Sequence, residues 1–516
     1  MISPTHILLV GLGREGLSSY HFFAKQYPEA SWILTDDRDL AALEQHWQQL
    51  VAKGEAQYVP LAGLAEWSAN SANNSALLLV KTAGIPLENA GVRACLERGA
   101  TLTSNTAAFF ATLPTLPVKP RTIGITGTKG KSTTSSMIYH CLRENGVPVV
   151  LAGNIGVPPL ETLQDPILMT ATADKPPVVV LELSSHQLRE LTVSPEIAVI
   201  QDITPEHLDY YASFDEYLAA KAPITQFQTA QDWVLSNPAY SAPAQLVAQS
   251  QAQRLYFGIS PELEPDDSVQ SERGLNEPQS TEPESNQPGQ VVSQHPPLTA
   301  DVRDGWIWVS DQRVLETNAV PLVGAHNLLN TLPAVVIATQ LFAIPLEGVA
   351  RAIRSFAGLP HRLEFAGEVR GVRYYNDSQA TAPEATMAAL ASFPGKPLVL
   401  LAGGSDKGVS FAQLGAEILR HNVQTLLLFP PMGDQILAAV QAAATATPGS
   451  SLPTTETVTS MQEAVRQVAA HATPGSIVLL SPACASFGLF KNYQDRGDQF
   501  KSAVQDLDQP KTGSSN

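Results

Sequence analysis

The stretch TIGITGTKGKST, residues 122–133, decides the fold expected for the middle of the chain. Its first five residues combine β-branched side chains with a glycine, which is typical of a buried strand. A loop rich in glycine and lysine follows, and a helical pattern starts at Ser132. A loop of this composition between a strand and a helix surrounds phosphates with backbone N–H groups, at the helix end that favours negative charge. The sequence therefore predicts a phosphate-binding loop in an α/β domain.

The loop departs from the strict Walker pattern, because Ile125 stands where that pattern has a glycine. The residues that phosphate and Mg²⁺ binding require are still present in the loop. Lys131 can reach the β- and γ-phosphates, and a hydroxyl of Ser132 or Thr133 can hold Mg²⁺. A turn without a ligand is the weaker alternative. We predict ATP binding by Gly127, Thr128, Lys129, Gly130, Lys131, Ser132 and Thr133.

Two later strand ends place candidate metal ligands beside this loop. Glu182 lies at the end of a hydrophobic strand predicted at Val178 to Leu183, a position suited to Mg²⁺. His207 follows a strand predicted at Ile197 to Gln201, and the sequence leaves open whether it is a ligand or a satisfied core residue. Lys221, considered by itself, is typical of a solvated lysine on a helix.

A second glycine loop, Gly11-Leu12-Gly13-Arg14-Glu15-Gly16, lies between a strand predicted at His6 to Val10 and a helix at Leu17 to Tyr27. Such a loop lets the backbone approach a pyrophosphate. Asp36 follows the next strand and can contact a ribose or a base. The pattern admits NAD(P), a diphosphate-bearing nucleotide sugar, or a turn without a ligand. Since nothing downstream suggests hydride chemistry, the nucleotide sugar is favoured.

Length, charge and cysteine usage limit the class of protein. The 516 residues suggest about three domains. The net charge of −17 argues against a general nucleic-acid binder, although a local basic cluster can still bind anionic substrates. The cysteines Cys95, Cys141 and Cys484 show neither metal-ligand nor disulfide spacing. Because the start of the sequence also lacks a signal-like or membrane-spanning run, we expect a cytoplasmic protein.

The predicted fold class is α/β with three domains: a Rossmann-like N-terminal domain, a central P-loop ATPase-like parallel sheet and a Rossmann-like C-terminal domain. Their predicted bounds are residues 1–118, 119–357 and 358–516. An acidic segment at about 260–300 is predicted to be a disordered insertion, in a long loop at a hairpin. The hairpin strands are predicted at Arg254 to Gly258 and Trp306 to Ser310. The tail from Gln509 is predicted to fray.

Together these motifs resemble those of the Mur ligases. The phosphate loop is similar to that family's ATP loop. Further similar segments are GNIG at 153–156, ELSS at 182–185, EHLD at 206–209, GAHNLLN at 324–330 and GLPHRLE at 358–364. The resemblance spans nearly the whole chain apart from the acidic segment and the tail.

Within that family, the C-terminal segments resemble the members that add D-glutamate. YNDSQAT at 375–381 is similar to their N-D-S-K-A-T run, and SPACASF at 481–487, FKNY at 490–493 and RG at 496–497 match their final motifs. The D-N-P-R motif of the relatives that add diaminopimelate or lysine is absent from the sequence. Four positions depart from the pattern, namely Ala83, Lys129, Gln379 and Gly488.

The resemblance also implies roles for individual residues. Lys131 would contact the ATP phosphates, Ser132 and Glu182 would hold one Mg²⁺, and His207 would hold a second. Lys221 matches a position that the family carbamylates, which would assist Mg²⁺ binding and requires a partly desolvated lysine. The remaining implied contacts are Asn327, Asn330, Arg362 and Asp377 for the nucleotide; Gly13, Arg14, Asp36, Arg38, Thr82 and Asn154 for the UDP-muramoyl substrate; and Thr381, Lys407, Ser486, Phe487 and Tyr493 for D-glutamate.

The implied reaction joins UDP-N-acetylmuramoyl-L-alanine to D-glutamate in peptidoglycan synthesis, through an acyl phosphate, with ATP and Mg²⁺. We expect small-molecule substrates as the only partners, without nucleic acid or membrane, and a monomer. Another Mur-type ligase or a folylpolyglutamate synthetase is the main alternative. An NAD(P)-dependent oxidoreductase and a nucleotide-dependent switch or motor are alternatives of other classes.

Overall fold

The computed structural model describes residues 4–70, 76–206, 210–260, 296–406, 408–447 and 449–508. The chain separates into two compact units. The first unit is Met1–Thr317 with Leu329–Ile353, and the second unit is Asn318–Leu328 with Arg354–Asn516. Two of the described sheets belong to the first unit and the third belongs to the second. The predicted domain boundaries at 118/119 and 357/358 stay predictions.

The first sheet is parallel, with the strand order β3-β2-β1-β4-β5. Its central strand is buried on both faces, as hydrophobic strands covered by helices are. The first helix begins at Arg14, earlier than predicted, because the glycine loop turns directly into it. A Cβ on Gly16 would lie 2.1 Å from the carbonyl oxygen of Gly11, so only glycine permits this turn. The strands are β1 (His6–Val10), β2 (Ser31–Thr35), β3 (Ala56–Tyr58), β4 (Leu77–Lys81) and β5 (Thr101–Thr103), and the helices are α1 (Arg14–Gln26), α2 (Gln45–Ala52), α3 (Leu64–Asn70), α4 (Ala90–Glu97) and α5 (Asn105–Thr112).

The second sheet has nine strands in the order β14-β13-β12-β11-β10-β9-β6-β8-β7. Its strands are β6 (Arg121–Thr126), β7 (Val149–Gly153), β8 (Val178–Glu182), β9 (Ile197–Ile200), β10 (Trp233–Ser236), β11 (Gln253–Ile259), β12 (Ala300–Arg303), β13 (Trp306–Val309) and β14 (Gln312–Glu316). The helices along this part of the chain are α6 (Lys131–Glu144), α7 (Pro166–Met169), α8 (Ser185–Leu188), α9 (Phe214–Lys221), α10 (Pro223–Gln226), α11 (Ser241–Gln249), α12 (Ala325–Val336) and α13 (Leu346–Ser355).

The sheet is parallel from β7 to β12, as predicted, and β13 and β14 extend it with an antiparallel meander at its edge. One prediction about this part of the chain is wrong. The acidic segment does not lie at a hairpin. The unpredicted strand β12 follows it and pairs with β11 in parallel, with Phe257 opposite Ala300. Residues 261–295 and the tail from Gln509 lie outside the described residues.

The third sheet has the order β15-β16-β20-β17-β18-β19 and is parallel except for the β15–β16 pair. Alternate strand residues enter separate cores on its two faces, as Tyr375 and Tyr374 do. Strands β16 and β20 are neighbours and end together, with Asn376 opposite Leu480, so the loops that follow them meet. The strands are β15 (Glu364–Val369), β16 (Val372–Asn376), β17 (Leu398–Gly403), β18 (Val423–Phe429), β19 (Thr454–Thr457) and β20 (Ile477–Leu480), and the helices are α14 (Pro383–Ala391), α15 (Ala412–Arg420), α16 (Gly433–Ala446), α17 (Met461–His471) and α18 (Tyr493–Asp508).

Within the described residues, every helix is too short or too polar to cross a lipid bilayer.

Candidate active site

The phosphate loop connects β6 to α6, as the sequence predicts, and its last residues form the first turn of α6. Gly130 caps the helix with a φ of +84°, and a Cβ there would lie 2.3 Å from Oδ1 of Asn330. Nζ of Lys131 donates to the carbonyl oxygens of Gly127 and Thr128, each at 2.8 Å. The loop thus holds an ammonium group at the N-terminus of a helix. The positive charge of Lys131 and the partial positive charge of the helix end both favour a bound phosphate.

Lys221 lies directly against this loop. It is 1% exposed, so the interpretation as a solvated helix lysine is wrong. Its Nζ donates to the carbonyl oxygen of Gly127 at 3.1 Å and lies 4.6 Å from the ring centre of Tyr217. Burial and the nearby charge of Lys131 lower the pKa of Lys221 to about 7, against the opposing effect of Glu206. The structure therefore places a desolvated lysine beside the phosphate loop, and a carbamate requires such desolvation.

Glu182 occupies the end of β8, opposite Ile125 of the neighbouring β6, and is 1% exposed. Its Oε1 accepts a hydrogen bond from Nδ2 of Asn154 at 2.9 Å. Its Oε2 is buried and accepts no hydrogen bond from the described residues. A buried carboxylate oxygen without a donor is costly, and it is the kind of atom that Mg²⁺ binds.

These residues fit a magnesium ion that is shared with a phosphate. The described part of the chain contains no group of three His, Cys, Asp or Glu residues able to hold a metal by itself. Mg²⁺ usually takes one or two protein oxygens together with phosphate oxygens and water, so Glu182 and Ser132 would supply the protein's share of the ligands. His207, the predicted ligand of a second ion, lies outside the described residues.

The predicted nucleotide residues belong to both units. Asn330 contacts the phosphate loop, and its carbonyl oxygen accepts a hydrogen bond from Oγ1 of Thr134 at 3.1 Å. Asn327 lies in the second unit, where its side chain donates to the carbonyl oxygen of Val323 at 2.7 Å. Arg362 and Asp377 also lie in the second unit.

The glycine loop of the first sheet is held by Asp36. One carboxylate oxygen accepts from the backbone N–H of Leu12 at 2.7 Å, and the other accepts from Nε of Arg38 at 2.8 Å. Burial would raise the pKa of Asp36, but these hydrogen bonds outweigh it and lower the pKa to about 2. Thr82 packs against the same loop, since a Cβ on Gly11 would lie 2.0 Å from its Oγ1. The acidic residue thus shapes the loop, a role that the motif alone did not reveal.

A cavity of about 200 Å³ joins the glycine loop to the strand ends of the second sheet. Arg14 and Ala83 line it on the side of the first sheet, and Gly153, Asn154 and Gln187 line it on the other. The structure therefore brings Arg14 and Asn154, which were predicted for two parts of one substrate, to a single cavity within the first unit.

Sequence reasoning missed three charged residues near this cavity. Glu15 lines it, and the backbone N–H of Ala83 donates to Oε2 of Glu15 at 3.0 Å. Nζ of Lys81 lies 2.5 Å from Oε1 of Glu190, and both side chains are buried. Burial and the charge of Glu15 raise the pKa of Glu190 to about 7, although Lys81 opposes this. Of these three residues, only Glu15 had a signal in the sequence, namely its position inside the glycine loop.

In the second unit, candidate residues occupy the two loops that follow β16 and β20. Asp377 accepts hydrogen bonds from the backbone N–H of Leu363 at 3.2 Å and from Oγ of Ser481 at 2.8 Å. Burial outweighs these bonds and raises the pKa of Asp377 to about 7. Nε of Arg362 donates to Oε1 of Gln379 at 3.3 Å, so the residue that departs from the family pattern contacts a predicted nucleotide residue.

The remaining predicted contacts for D-glutamate lie close to these loops. Thr381 is in the first loop, Ser486 and Phe487 are in the second, and the carbonyl oxygen of Tyr493 accepts from Oγ of Ser378 at 2.8 Å. Phe487 is 67% exposed and therefore available to a ligand. Lys407 lies outside the described residues.

Known proteins resemble this chain over most of its length. Residues 125–338 match the Mur ligase middle domain, and residues 361–484 match the Mur ligase, glutamate ligase domain. The chain is 34% identical to the UDP-N-acetylmuramoylalanine–D-glutamate ligase of Symbiobacterium thermophilum, over 83% of this chain and 84% of that protein. It is 31% identical to the ligase of the same name from Acetivibrio thermocellus, over 84% of this chain and 83% of that protein.

Solved structures resemble the chain in fold. UDP-N-acetylmuramate–alanine ligase MurC from Thermotoga maritima aligns with a TM-score of 0.54 and 16% identity, over 97% of this chain and 99% of that one. A UDP-N-acetylmuramoyl-L-alanyl-D-glutamate–2,6-diaminopimelate ligase aligns with a TM-score of 0.53 and 16% identity, over 86% and 94%. These similarities confirm the predicted fold class.

Proposed function

The chain belongs to the Mur ligase family and is an ATP-dependent ligase of peptidoglycan precursor synthesis, and we propose that it joins D-glutamate to UDP-N-acetylmuramoyl-L-alanine. One observation carries the proposal at the level of chemistry. Lys131, Lys221 and the buried carboxylate of Glu182 lie around the ends of two adjacent strands, β6 and β8. Such a cluster suits the transfer of a phosphoryl group to a carboxylate.

The reaction begins with a carboxylate, which is a poor electrophile until it carries a leaving group. An oxygen of the acyl substrate's carboxylate attacks the γ-phosphorus of ATP, and the bond to the β,γ-bridging oxygen breaks to release ADP. The backbone N–H groups of the phosphate loop and the ammonium group of Lys131 stabilise the charge that gathers on the phosphate oxygens. The amine of the amino acid then attacks the acyl phosphate, loses a proton and displaces inorganic phosphate.

The magnesium site is a proposal that rests on Glu182. Its Oε2 has no hydrogen-bond donor among the described residues, and the hydroxyl of Ser132 belongs to the adjoining helix start. When bound, Mg²⁺ would neutralise phosphate charge and favour the release of ADP. We assign a second ion to His207 and a carbamate of Lys221.

The carbamate would form when the neutral amine of Lys221 bonds to the carbon of CO₂ and loses one proton. This change replaces a cation beside Lys131 with an anion, so it turns a repulsion into an attraction. The burial of Lys221 and the lowering of its pKa to about 7 supply the neutral amine that the step needs.

Substrate positions follow from the same reasoning. The UDP group is assigned to Gly13, Arg14, Asp36, Arg38 and Thr82, and the muramoyl group to Asn154, because the cavity joins Arg14 to Asn154. The nucleotide is assigned to Asn327, Asn330, Arg362 and Asp377. D-Glutamate is assigned to Thr381, Lys407, Ser486, Phe487 and Tyr493. A monomeric state and a cytoplasmic location stay predictions.

The test is a phosphate-release assay with purified protein, MgATP, UDP-N-acetylmuramoyl-L-alanine and a panel of D- and L-amino acids. Of the amino acids in the panel, we expect only D-glutamate to support turnover. Preference for L-alanine with UDP-N-acetylmuramate, or for glutamate with a folate, would assign the chain to another ligase of this architecture. ATP hydrolysis that needs no amino acid would indicate a switch or motor, and nicotinamide cofactor binding would revive the oxidoreductase alternative.

A further inference from the structure

Arg496 on α18 is the centre of a polar network that the proposed reaction does not use. The side chain is 0% exposed. Its Nε donates to Oγ of Ser378 at 2.9 Å, and Nη2 donates to the carbonyl oxygen of Ser378 at 2.8 Å. Nη1 donates to the carbonyl oxygens of Cys484 at 3.2 Å and Ala485 at 3.4 Å. One guanidinium group therefore binds the loop after β16 to the loop after β20.

All of these acceptors are neutral. Within the described parts of the chain, no carboxylate lies within ion-pair distance of Arg496, and burial lowers its pKa to about 10. A buried cation without an acidic partner is costly, even when neutral groups satisfy its donors. An anion that binds near such a group reduces the cost of burying its charge.

The two joined loops carry the residues assigned to the amino acid. Thr381 follows Ser378 in the first loop, and Ser486 follows Ala485 in the second. The backbone N–H of Ala483 donates to the carbonyl oxygen of Ala380 at 3.0 Å, which adds a direct link between the loops. Because the carbonyl oxygen of Tyr493 accepts from Oγ of Ser378, the residue that Arg496 holds also positions Tyr493.

The peptide units that Arg496 binds are oriented dipoles. In a trans peptide, the N–H points away from the carbonyl oxygen of the same unit. Arg496 donates to the carbonyl oxygens of Cys484 and Ala485, so the N–H groups of Ala485 and Ser486 point away from the guanidinium group. Ala485 pairs with Ser405 in an antiparallel bridge, and the N–H of Gln379 donates to the carbonyl oxygen of His361 at 3.0 Å, so the N–H of Ser486 is the candidate donor to a ligand. A cation at the carbonyl end of a peptide unit polarises it and strengthens its N–H as a donor to an anion.

We propose that Arg496 is a positioning residue for the amino-acid substrate, which fixes the two loops that carry Thr381 and Ser486 and directs the N–H group of Ser486 at a carboxylate of that substrate. The inference deepens the proposed function and rests on it. It assigns the buried charge to recognition of an anionic amino acid, although Arg496 is itself inaccessible to the ligand.

The test compares Arg496→Lys, Arg496→Met and Ser378→Ala with the native enzyme. The measurements are kcat, the KM of each substrate, and the exchange of phosphate between ADP and ATP with the acyl substrate but no amino acid. We expect the KM of the amino acid to rise about tenfold or more in both Arg496 variants and about threefold in Ser378→Ala. Exchange and the KM of ATP should stay within about twofold of the native values.

The lysine variant separates charge from geometry, because it keeps the cation but lacks the planar fork that joins two loops. Arg466→Met is the matched control, since Arg466 is an exposed arginine on α17 whose Nε donates to the carbonyl oxygen of Gln462. That variant should behave as the native enzyme does.

Two results would overturn the inference. One is an unchanged KM for the amino acid in all three variants. The other is a parallel loss of exchange, ATP affinity and thermal stability in Arg496→Lys and Ser378→Ala, which would show a role in folding alone. If the native enzyme ligates an amino acid other than D-glutamate, the proposed function fails in that assay. The same KM comparison then applies to the amino acid it does use.

Discussion

At the scale of single residues, two lysine side chains share one acceptor. Lys131 and Lys221 both donate to the carbonyl oxygen of Gly127, at 2.8 Å and 3.1 Å. Two ammonium groups so close repel each other, and this repulsion adds to burial in lowering the pKa of Lys221 to about 7. The phosphate loop thus places the lysine proposed to react with CO₂ directly beside the lysine proposed to bind phosphate.

Lys131→Ala should abolish ATP-dependent ligation, with a loss of about 10³-fold or more in kcat/KM, because Lys131 is the lysine that the loop holds at the N-terminus of α6, beside the proposed site of the transferred phosphate. The fold should stay intact, as judged by circular dichroism and thermal unfolding. Lys175→Ala is the control, since Lys175 is exposed and outside the site. A Lys131→Ala enzyme with nearly native turnover would contradict the assignment of the phosphate loop.

Lys221→Ala should lose most activity and recover part of it when a short carboxylic acid such as acetate is added, because the acid can replace the carbamate. In the native enzyme, activation by added bicarbonate should increase as the pH rises through about 7, where the amine becomes neutral. The folded pKa lies below that of free lysine, so this residue's contribution to stability is lost as the pH falls through about 7. Absence of rescue at every acid concentration would count against a carbamate.

At the scale of elements, the chemistry lies at the carboxyl ends of parallel strands. The phosphate loop follows β6, Glu182 ends β8, and the loops joined by Arg496 follow β16 and β20. Neighbouring parallel strands end at the same edge, so side chains far apart in sequence meet there. The β11–β12 pair lies elsewhere in the second sheet, separated from β6 by β9 and β10.

Replacing residues 261–294 with a flexible Gly/Ser linker of about six residues should leave kcat and all KM values within about twofold. The pairing of Phe257 with Ala300 requires the connection to return along only a short length of strand, which such a linker can span. Steady-state kinetics of the shortened enzyme provide the check. A large loss of activity without a loss of thermal stability would mean that the removed segment takes part in function.

At the scale of the first unit as a whole, charged pairs connect its two sheets. Lys81 at the end of β4 contacts Glu190 beyond α8, and Glu88 contacts Arg189. The Lys81–Glu190 pair is buried, and the charge of Glu15 in the glycine loop contributes to raising the pKa of Glu190. Because these residues lie near the cavity that joins the sheets, their protonation is expected to influence how firmly the sheets are held together.

Glu190→Gln should reveal the titration of this group. The folded pKa of Glu190 is raised from 4.5 to about 7, so its stabilising contribution is complete below pH 4.5 and is lost as the pH rises through about 7. The native-minus-variant difference in the free energy of unfolding should therefore fall by about 1 kcal/mol between pH 6 and pH 8. Thermal unfolding of both proteins across this range measures it. A difference that stays constant would contradict a raised pKa.

The sequence by itself determined the local elements and their chemistry. The strand–loop–helix at residues 122–144, the glycine loop after β1 and the strands β8, β9 and β20 all follow from patterns within a few residues. The phosphate loop, Glu182 and the family motifs were recognised on the same basis. These features depend on backbone conformation and hydrophobic period, which neighbouring residues specify.

Only the tertiary structure decided which side chains lose water and which charges meet. Lys221 looks solvated on its own helix and is buried because α9 packs against the phosphate loop. Arg496 and the Lys81–Glu190 pair acquire their partners from segments about a hundred residues away, and β12 joins β11 in parallel across the acidic segment. Burial and ion pairing arise from contacts distant in sequence, so no local pattern encodes them, and they set the pKa values on which the proposed chemistry depends.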